Sequence, residues 1–340
     1  MKEKLRIREL DTFRGIAAVM VVLFHFSLGR FLPYFSGLLR LGNTGPEFFF
    51  MISGFVIFMT LQYVKTGREF VVNRLSRLYP TYWVAVTFTF SLIALNSYLS
   101  FHDLRLVDFK QYLFNMTMFQ HYFNVTDIDG PYWTMVVEMN FYIIMLCLYK
   151  CNLLSQIKLI TVVISLLVIL FVELAPGKLL NYTLFYLPIL PYWPLFGLGI
   201  IFYKIYNDET TLMRELFFIF LLLICQVALH DIIRNIGYSS RFEYSVMVLI
   251  YVTLFIFFVI NKLKFLATKV GDFFGRISFP FYLIHQYLSI YLIIPFLMLK
   301  IQWRFMVSAT VAFVLIIALS RTISIYVEIP ARRYLKKLMS

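Results

Sequence analysis

Three ionisable residues lie along one apolar stretch near the start of the chain. The stretch RELDTFRGIAAVMVVLFHF contains Asp11, Arg14 and His25 among mostly apolar residues. On a helix, positions 14 and 25 lie about 20° apart around the axis and roughly 16 Å apart along it. Asp11 is one turn before Arg14 on the same face. This stripe, one face of the helix, could supply His25 as a base at one end and the pair Asp11 and Arg14 at the other. A histidine that only packs against its neighbours fits the position of His25 equally well.

A second acid, Glu138, is predicted to lie as deep in a membrane as His25. Each residue is about six positions from the outer end of its own apolar run. An acid and an imidazole in hydrocarbon stabilise one another if their helices touch. A carboxylate that orients an imidazole is the usual support for a histidine base. We therefore predict His25 and Glu138 as a catalytic pair, with a structural buried ion pair as the alternative.

Two arginines, Arg74 and Arg77, occur in REFVVNRLSRLYP, which we place in an inner loop before the third apolar run. Guanidinium groups one helical turn apart can clamp phosphate oxygens. Basic residues at the cytoplasmic face also follow from membrane topology alone. Together with the stripe near the start of the chain, the pattern fits a donor with phosphates at one end of a long arm. Acyl-coenzyme A has that shape.

The composition indicates a polytopic membrane protein. Hydrophobic residues make up 61% of the 340 residues and charged residues 14%, against about 45–50% and about 25% in soluble domains. Runs of about 20 apolar residues recur along the chain. We predict one all-α domain over residues 1–340, with ten spans near 12–31, 46–64, 79–100, 132–149, 159–175, 182–203, 213–230, 243–261, 277–298 and 304–327.

The charge pattern predicts that both termini are cytoplasmic. With that orientation, the inner segments hold roughly twice as many lysines and arginines as the outer ones. The net charge of +13 then reflects topology, so we expect no nucleic-acid partner. The three cysteines form no zinc-ligand pattern, so we expect no metal.

A proton-coupled transporter of a small or sugar-like solute is the rival interpretation. Buried charges occur in such carriers, and so do broken spans like the sixth, YLPILPYWPLFGLG. No inverted repeat is visible, and a carrier of neutral solutes has no use for Arg74 and Arg77 at its inner face. His285, in the ninth span, could line a cavity or pack against neighbouring helices.

The order of the motifs resembles the membrane acyltransferase family 3. The stripe with Arg14 and His25 is followed by GNTGPEFFFMISGF with Ser53, then FVVNRLSRLYP, WTMVVEMNFY with Trp133 and Glu138, GRISFPFYLIH with His285, and EIPAR. The resemblance runs over essentially the whole chain. It implies a ten-span enzyme that moves a short acyl group from cytoplasmic acyl-CoA to sugars, often at the cell surface.

The resemblance also implies roles for individual residues. His25 corresponds to the catalytic histidine, Arg14 to its partner on the donor side, and Arg74 and Arg77 to coenzyme contacts. We assign Asp11, Ser53, Trp133 and His285 to supporting the site or contacting substrate. Ser53 could hold the carbonyl oxygen, but packing beside Gly54 is the more common role of such a serine.

The expected partners are an acyl-CoA donor, a carbohydrate acceptor and membrane lipid, and a homodimer is compatible with this interpretation. We expect acyl-CoA as a co-substrate and no permanently bound cofactor. Acetyl and slightly larger acyl groups both fit, as do a polysaccharide, a lipid-linked sugar, peptidoglycan or a small glycoside. The expected location is the bacterial inner membrane. We expect no additional C-terminal SGNH-type domain.

Overall fold

All regular structure in the described part of the chain is helical. The computed structural model describes residues 6–27, 36–98, 106–233 and 236–339. Short 3₁₀ segments join several helices, and π-helical segments lie at Tyr287–Ile293 and Ser324–Glu328. The α-helices are α1 Arg8–Ser27, α2 Ser36–Leu39, α3 Gly45–Tyr63, α4 Gly67–Tyr98, α5 Phe109–Asn115, α6 Trp133–Lys150, α7 Ile157–Leu174, α8 Gly177–Tyr186, α9 Trp193–Tyr206, α10 Leu212–Ala228, α11 Arg241–Val259, α12 Lys269–Gln286, α13 Ile294–Leu299, α14 Phe305–Ile323 and α15 Ile329–Met339.

The helices confirm the predicted all-α polytopic membrane fold. Within the described ranges, nine helical segments are long and apolar enough to cross a membrane. The pair Gly177–Tyr186 and Leu190–Tyr206 makes a tenth if it is counted as one span, and it is bent by 80°. Pro188 lies in the break, where we expected an irregular helix because proline lacks the N–H that a helix needs.

The third span begins earlier than predicted. Placing Arg74 and Arg77 in a loop was wrong, because α4 starts at Gly67. Phe70, Arg74 and Leu78 are buried at helical spacing. Packing of one face therefore extends the helix beyond its apolar part, which hydropathy alone does not detect. The two arginines consequently have a fixed helical relationship.

The first helix begins at Arg8 rather than near residue 12. The predicted end of the first span, at residue 31, and that of the third, at residue 100, lie outside the described residues. So do five basic residues that entered the charge comparison: Lys2, Lys4, Arg30, Arg105 and Arg234.

The chain forms two compact units, each built from three stretches of sequence. The first comprises Met1–Met20, Leu41–Gly67 and Val137–Gly275, and the second comprises Val21–Arg40, Arg68–Val136 and Arg276–Ser340. Because these stretches alternate along the chain, neither unit is a continuous segment. The expectation of a single domain stays a prediction.

In the first unit, the backbones of α3 and α9 approach each other at two glycines. A Cβ on Gly54 would lie 2.1 Å from the carbonyl oxygen of Phe196. A Cβ on Gly199 would lie 2.0 Å from the carbonyl oxygen of Met51. Small residues permit this close approach, which increases packing between membrane helices. The two glycines therefore set the distance between α3 and α9.

We expect Gly54→Ala to destabilise the protein. The added methyl group meets a backbone oxygen, which cannot rotate away, and overpacking of this kind costs about 1–3 kcal/mol. Gly177→Ala is the matched control, because a Cβ there has nothing within 4 Å. Thermal unfolding of the purified variants checks this. Equal midpoints for the two variants would contradict the packing argument.

In the second unit, the segment between α4 and α6 packs against α4. Trp83 Nε1 donates to the carbonyl oxygen of Met116 at 2.9 Å. Tyr132 Oη donates to Thr89 Oγ1 at 3.3 Å. Asp108 caps α5 by accepting a backbone N–H of its first turn at 2.6 Å. Hydrogen bonds made by side chains of α4 and of the segment itself thus hold this connecting segment in place.

Candidate active site

His25 and His285 are in direct contact within the second unit. The distance from His285 Nε2 to His25 Nδ1 is 3.2 Å. His25 Nδ1 is also 2.8 Å from the carbonyl oxygen of Val21, one turn earlier on α1. His285 Nδ1 is 2.6 Å from the carbonyl oxygen of Tyr282. The structure therefore brings together two histidines that are far apart in the sequence.

These contacts assign the tautomers of both imidazoles. A carbonyl oxygen only accepts hydrogen bonds, so the Nδ1 atom of each ring carries a proton. His285 Nε2 then has a lone pair, which faces the N–H of His25. Both of these contacts of His25 use Nδ1, so its Nε2 has the lone pair that a general base requires.

The two rings differ in exposure. His285 is completely buried, whereas His25 is half-buried. Of the two, His25 is the one that a substrate can reach. His285 is therefore suited to orient its neighbour rather than to react itself.

Glu138 has hydroxyl partners in the first unit. Its Oε1 accepts from Ser53 Oγ at 3.3 Å and from the hydroxyl of Tyr142. Ser53 therefore binds the carboxylate, and packing beside Gly54 is not its whole role. The predicted contact between Glu138 and His25 stays a prediction.

Asp11 and Arg14 also meet in the first unit. Arg14 Nη1 lies 3.5 Å from Asp11 Oδ1, and Arg6 pairs with the other carboxylate oxygen. Their spacing of three residues places them on one helix face, as predicted. Asp11 thus lies between two guanidinium groups, which offsets the cost of its burial.

The start of α1 is packed tightly against the region of α12. Thr12 Oγ1 donates to the carbonyl oxygen of Leu266 at 2.8 Å. A Cβ on Gly275 would lie 2.4 Å from the carbonyl oxygen of Asp11. Arg8 forms a 2.8 Å ion pair with Asp272. These contacts fix the segment that carries the charged pair.

Arg74 and Arg77 lie one turn apart on α4, in the second unit. Arg74 is buried, and its guanidinium lies 6.0 Å from the ring centre of Phe70. Arg332 lies within electrostatic reach of Arg77 and of the carboxylate of Glu328. Guanidinium groups can clamp phosphate oxygens, so these arginines are candidates for a phosphate-binding site.

Sequence reasoning gave no role in the site to two residues of these clusters. Tyr142 is four residues after Glu138, a spacing that places both on one face of α6 and could have identified it. Arg332 occurs in the EIPAR segment, but nothing in the sequence relates it to Arg77. Trp133, half-buried, begins α6.

The described ranges contain no group of three or more His, Cys, Asp or Glu residues that could hold a metal ion.

Comparison with known proteins assigns the family. No solved structure matches the chain. A protein of Acidianus two-tailed virus named "Putative acetyltransferase ORF330" is 24% identical over 289 residues, which cover 80% of each chain. The family model described as Acyltransferase domain matches residues 7–327, a range that contains every site residue predicted from the sequence. The chain is therefore a multi-pass membrane protein that belongs to the acyltransferase family 3.

Proposed function

We propose that this acyltransferase is an O-acyltransferase of the bacterial inner membrane. It transfers an acetyl or other short acyl group from cytoplasmic acyl-CoA to a hydroxyl of a carbohydrate. The observation that carries the proposal is the contact of His25 with His285, which makes Nε2 of a half-buried imidazole a proton acceptor. The name of the viral relative supports acetyl as the group transferred, and the carbohydrate acceptor follows the family resemblance.

In the proposed reaction, His25 acts first as a base and then as an acid. Its Nε2 takes the proton of the acceptor hydroxyl while the oxygen attacks the carbonyl carbon of the thioester. The tetrahedral intermediate collapses, the carbon–sulfur bond breaks, and the coenzyme thiolate takes the proton from Nε2. The products are an ester and free coenzyme A.

The surroundings of His25 stabilise the imidazolium that forms between these two steps. Its Nδ1–H donates to the carbonyl oxygen of Val21 and faces the lone pair of His285 Nε2. Both acceptors are neutral, so a negative charge nearby would add to their effect. Glu138 is proposed to supply this negative charge.

The donor is proposed to bind through the arginines. Arg74 and Arg77, with Arg332, would hold the phosphates of the coenzyme by charge-assisted hydrogen bonds. Arg14 would contact the arm of the donor, about 16 Å along α1 from His25. This separation of charge and base suits a donor whose reactive thioester is far from its phosphates.

We expect the two substrates to act from opposite sides of the membrane. The charge pattern predicts that Arg74 and Arg77 face the cytoplasm and that His25 lies nearer the outer surface. In sealed vesicles of known orientation, labelled acetyl-CoA should support transfer only from the cytoplasmic face. A membrane-impermeant sugar acceptor should work only from the other face.

The same experiment separates the proposal from its rival. A requirement for both substrates on one side would contradict transfer through the membrane while leaving acyl transfer itself intact. Label that crosses as a free solute, without appearing on any sugar, would favour a carrier.

A further inference from the structure

A π-helical segment follows His285, and hydrogen bonds with two other residues hold its first residue, Tyr287. The π segment, Tyr287–Ile293, begins two residues after His285. The backbone N–H of Tyr287 donates to Asp129 Oδ2 at 3.1 Å, and its hydroxyl accepts from Asn96 Nδ2 at 3.2 Å. A π turn shifts the backbone pairing of a helix and is frequent at functional sites. These bonds therefore hold the point at which the helix changes form.

Asp129 uses both carboxylate oxygens for backbone donors. It is 1% exposed, and its Oδ1 accepts the N–H of Gly130 at 2.8 Å. A buried carboxylate is costly unless its oxygens are hydrogen-bonded, and these two N–H groups meet that need. A Cβ on Gly130 would lie 2.1 Å from Gln286 Oε1. The loop thus packs directly on the residues after His285.

A second bond joins the same region to the residue that orients His285. Thr134 Oγ1 donates to the hydroxyl of Tyr282 at 3.1 Å. The carbonyl oxygen of Tyr282 is the acceptor for His285 Nδ1. Residues 129–134 therefore hold the chain both before and after His285.

We infer that Asp129 is a positioning residue for His25, acting through the π segment and His285. By holding Tyr287, Asp129 keeps His285 Nε2 against Nδ1 of His25. This contact adds to that of the Val21 carbonyl oxygen in leaving Nε2 of His25 as the proton acceptor. This inference rests on the proposed role of His25 as the base. It adds a residue that belongs to no motif of the sequence analysis and that does not touch substrate.

The test is Asp129→Asn. Asparagine has one acceptor oxygen, so its NH₂ group must face one of the two backbone N–H groups. We expect kcat to fall by up to about 100-fold, since small displacements of catalytic groups have effects of that size. The KM for acyl-CoA should stay unchanged, because Gly130 and Tyr287, which Asp129 binds, are not among the residues proposed to hold the donor.

A chemical probe tests the coupling without using activity. Diethyl pyrocarbonate acylates the unprotonated nitrogen of an imidazole, and peptide mass spectrometry locates the modified histidine. We expect His25 to react more slowly in Asp129→Asn, because the carbonyl oxygen of Val21 alone then holds its ring as the tautomer with a free Nε2.

Asp108→Asn is the matched control. It makes the same chemical change in the same connecting segment, where the carboxylate caps α5 instead of holding the π segment. If Asp129→Asn equals Asp108→Asn in both kcat and the modification rate of His25, the inference is overturned. Should Asp129→Asn not fold, Asn96→Ala removes the bond to the Tyr287 hydroxyl, and the same two measurements decide.

Variants of His285 test the last step of the chain of contacts. The side-chain oxygen of His285→Gln can take the place of Nε2 as an acceptor, whereas His285→Leu offers none. We expect the glutamine variant to retain more activity and a faster modification of His25 than the leucine variant. Equal behaviour would contradict the role of His285. Full activity of His25→Ala would instead overturn the proposed function, so the two failures are distinguishable.

Discussion

His25→Ala is expected to abolish acyl transfer. Removal of a general base lowers the rate by about 100- to 10,000-fold, and the neighbouring His285 is completely buried, which keeps its own Nε2 from a substrate. Binding of the coenzyme should change little, because its phosphates are proposed to bind at Arg74 and Arg77. Transfer of label from acetyl-CoA by the purified variant measures the first effect. Calorimetry with a non-hydrolysable acyl-CoA measures the second.

The control for this variant is His121→Ala. His121 lies in the 3₁₀ segment Gln120–Phe123 of the loop before α6, and no proposed step uses it. Its variant should retain turnover and report any general effect of losing an imidazole. Turnover of His25→Ala close to that of the wild type would rule out the base mechanism.

The double variant Arg74→Ala with Arg77→Ala should bind acyl-CoA about 100-fold or more weakly, since each charge-assisted hydrogen bond contributes about 1.5–3 kcal/mol. The affinity of the wild type should fall with added salt, because ions screen charge–phosphate contacts. Calorimetry at two salt concentrations measures both effects. Substitution of both positions by lysine should restore the salt dependence but only part of the affinity, since lysine lacks the bidentate geometry.

Arg68→Ala is the matched control for the arginine pair. Arg68 is exposed at the start of the same helix and also contributes to the positive charge of the inner side. Loss of affinity in Arg68→Ala equal to that of the double variant would point to general charge rather than a specific site. Unchanged affinity in the double variant would assign Arg74 and Arg77 to membrane orientation alone.

The spans could be predicted because the bilayer imposes a simple rule on the sequence. Backbone polar groups in hydrocarbon must pair internally, so each crossing needs a long apolar helix. The rule failed at the start of α4, where Phe70 and Leu78 are buried but the polar or charged residues Asn73, Arg74, Ser76 and Arg77 lie between them. Hydropathy measures the average over a window, whereas burial of one face depends on neighbouring helices.

The site was only partly predictable, because contacts between distant parts of the chain also depend on how the helices pack. Asp11 with Arg14 is a local pair, which helix geometry gives directly. The contact between His25 and His285 joins positions 260 residues apart, and sequence reasoning left His285 undecided. Asp129 has the ordinary appearance of a turn residue in DIDGP. Its role depends on the backbone N–H of Tyr287, which has no signature in the side-chain sequence.

The packing of Thr12 against Leu266 and of Asp11 against Gly275 has a consequence for biosynthesis. The segments in contact are separated by more than 250 residues, so α1 enters the membrane long before its partner has been translated. Until then the hydroxyl of Thr12 has the carbonyl oxygen of Arg8, 3.3 Å away on the same helix, but lacks the closer acceptor at Leu266. Contacts between residues so far apart in the sequence form late, and they reduce the rate of folding. The nascent chain must therefore hold its first helix in an unfinished environment for most of translation.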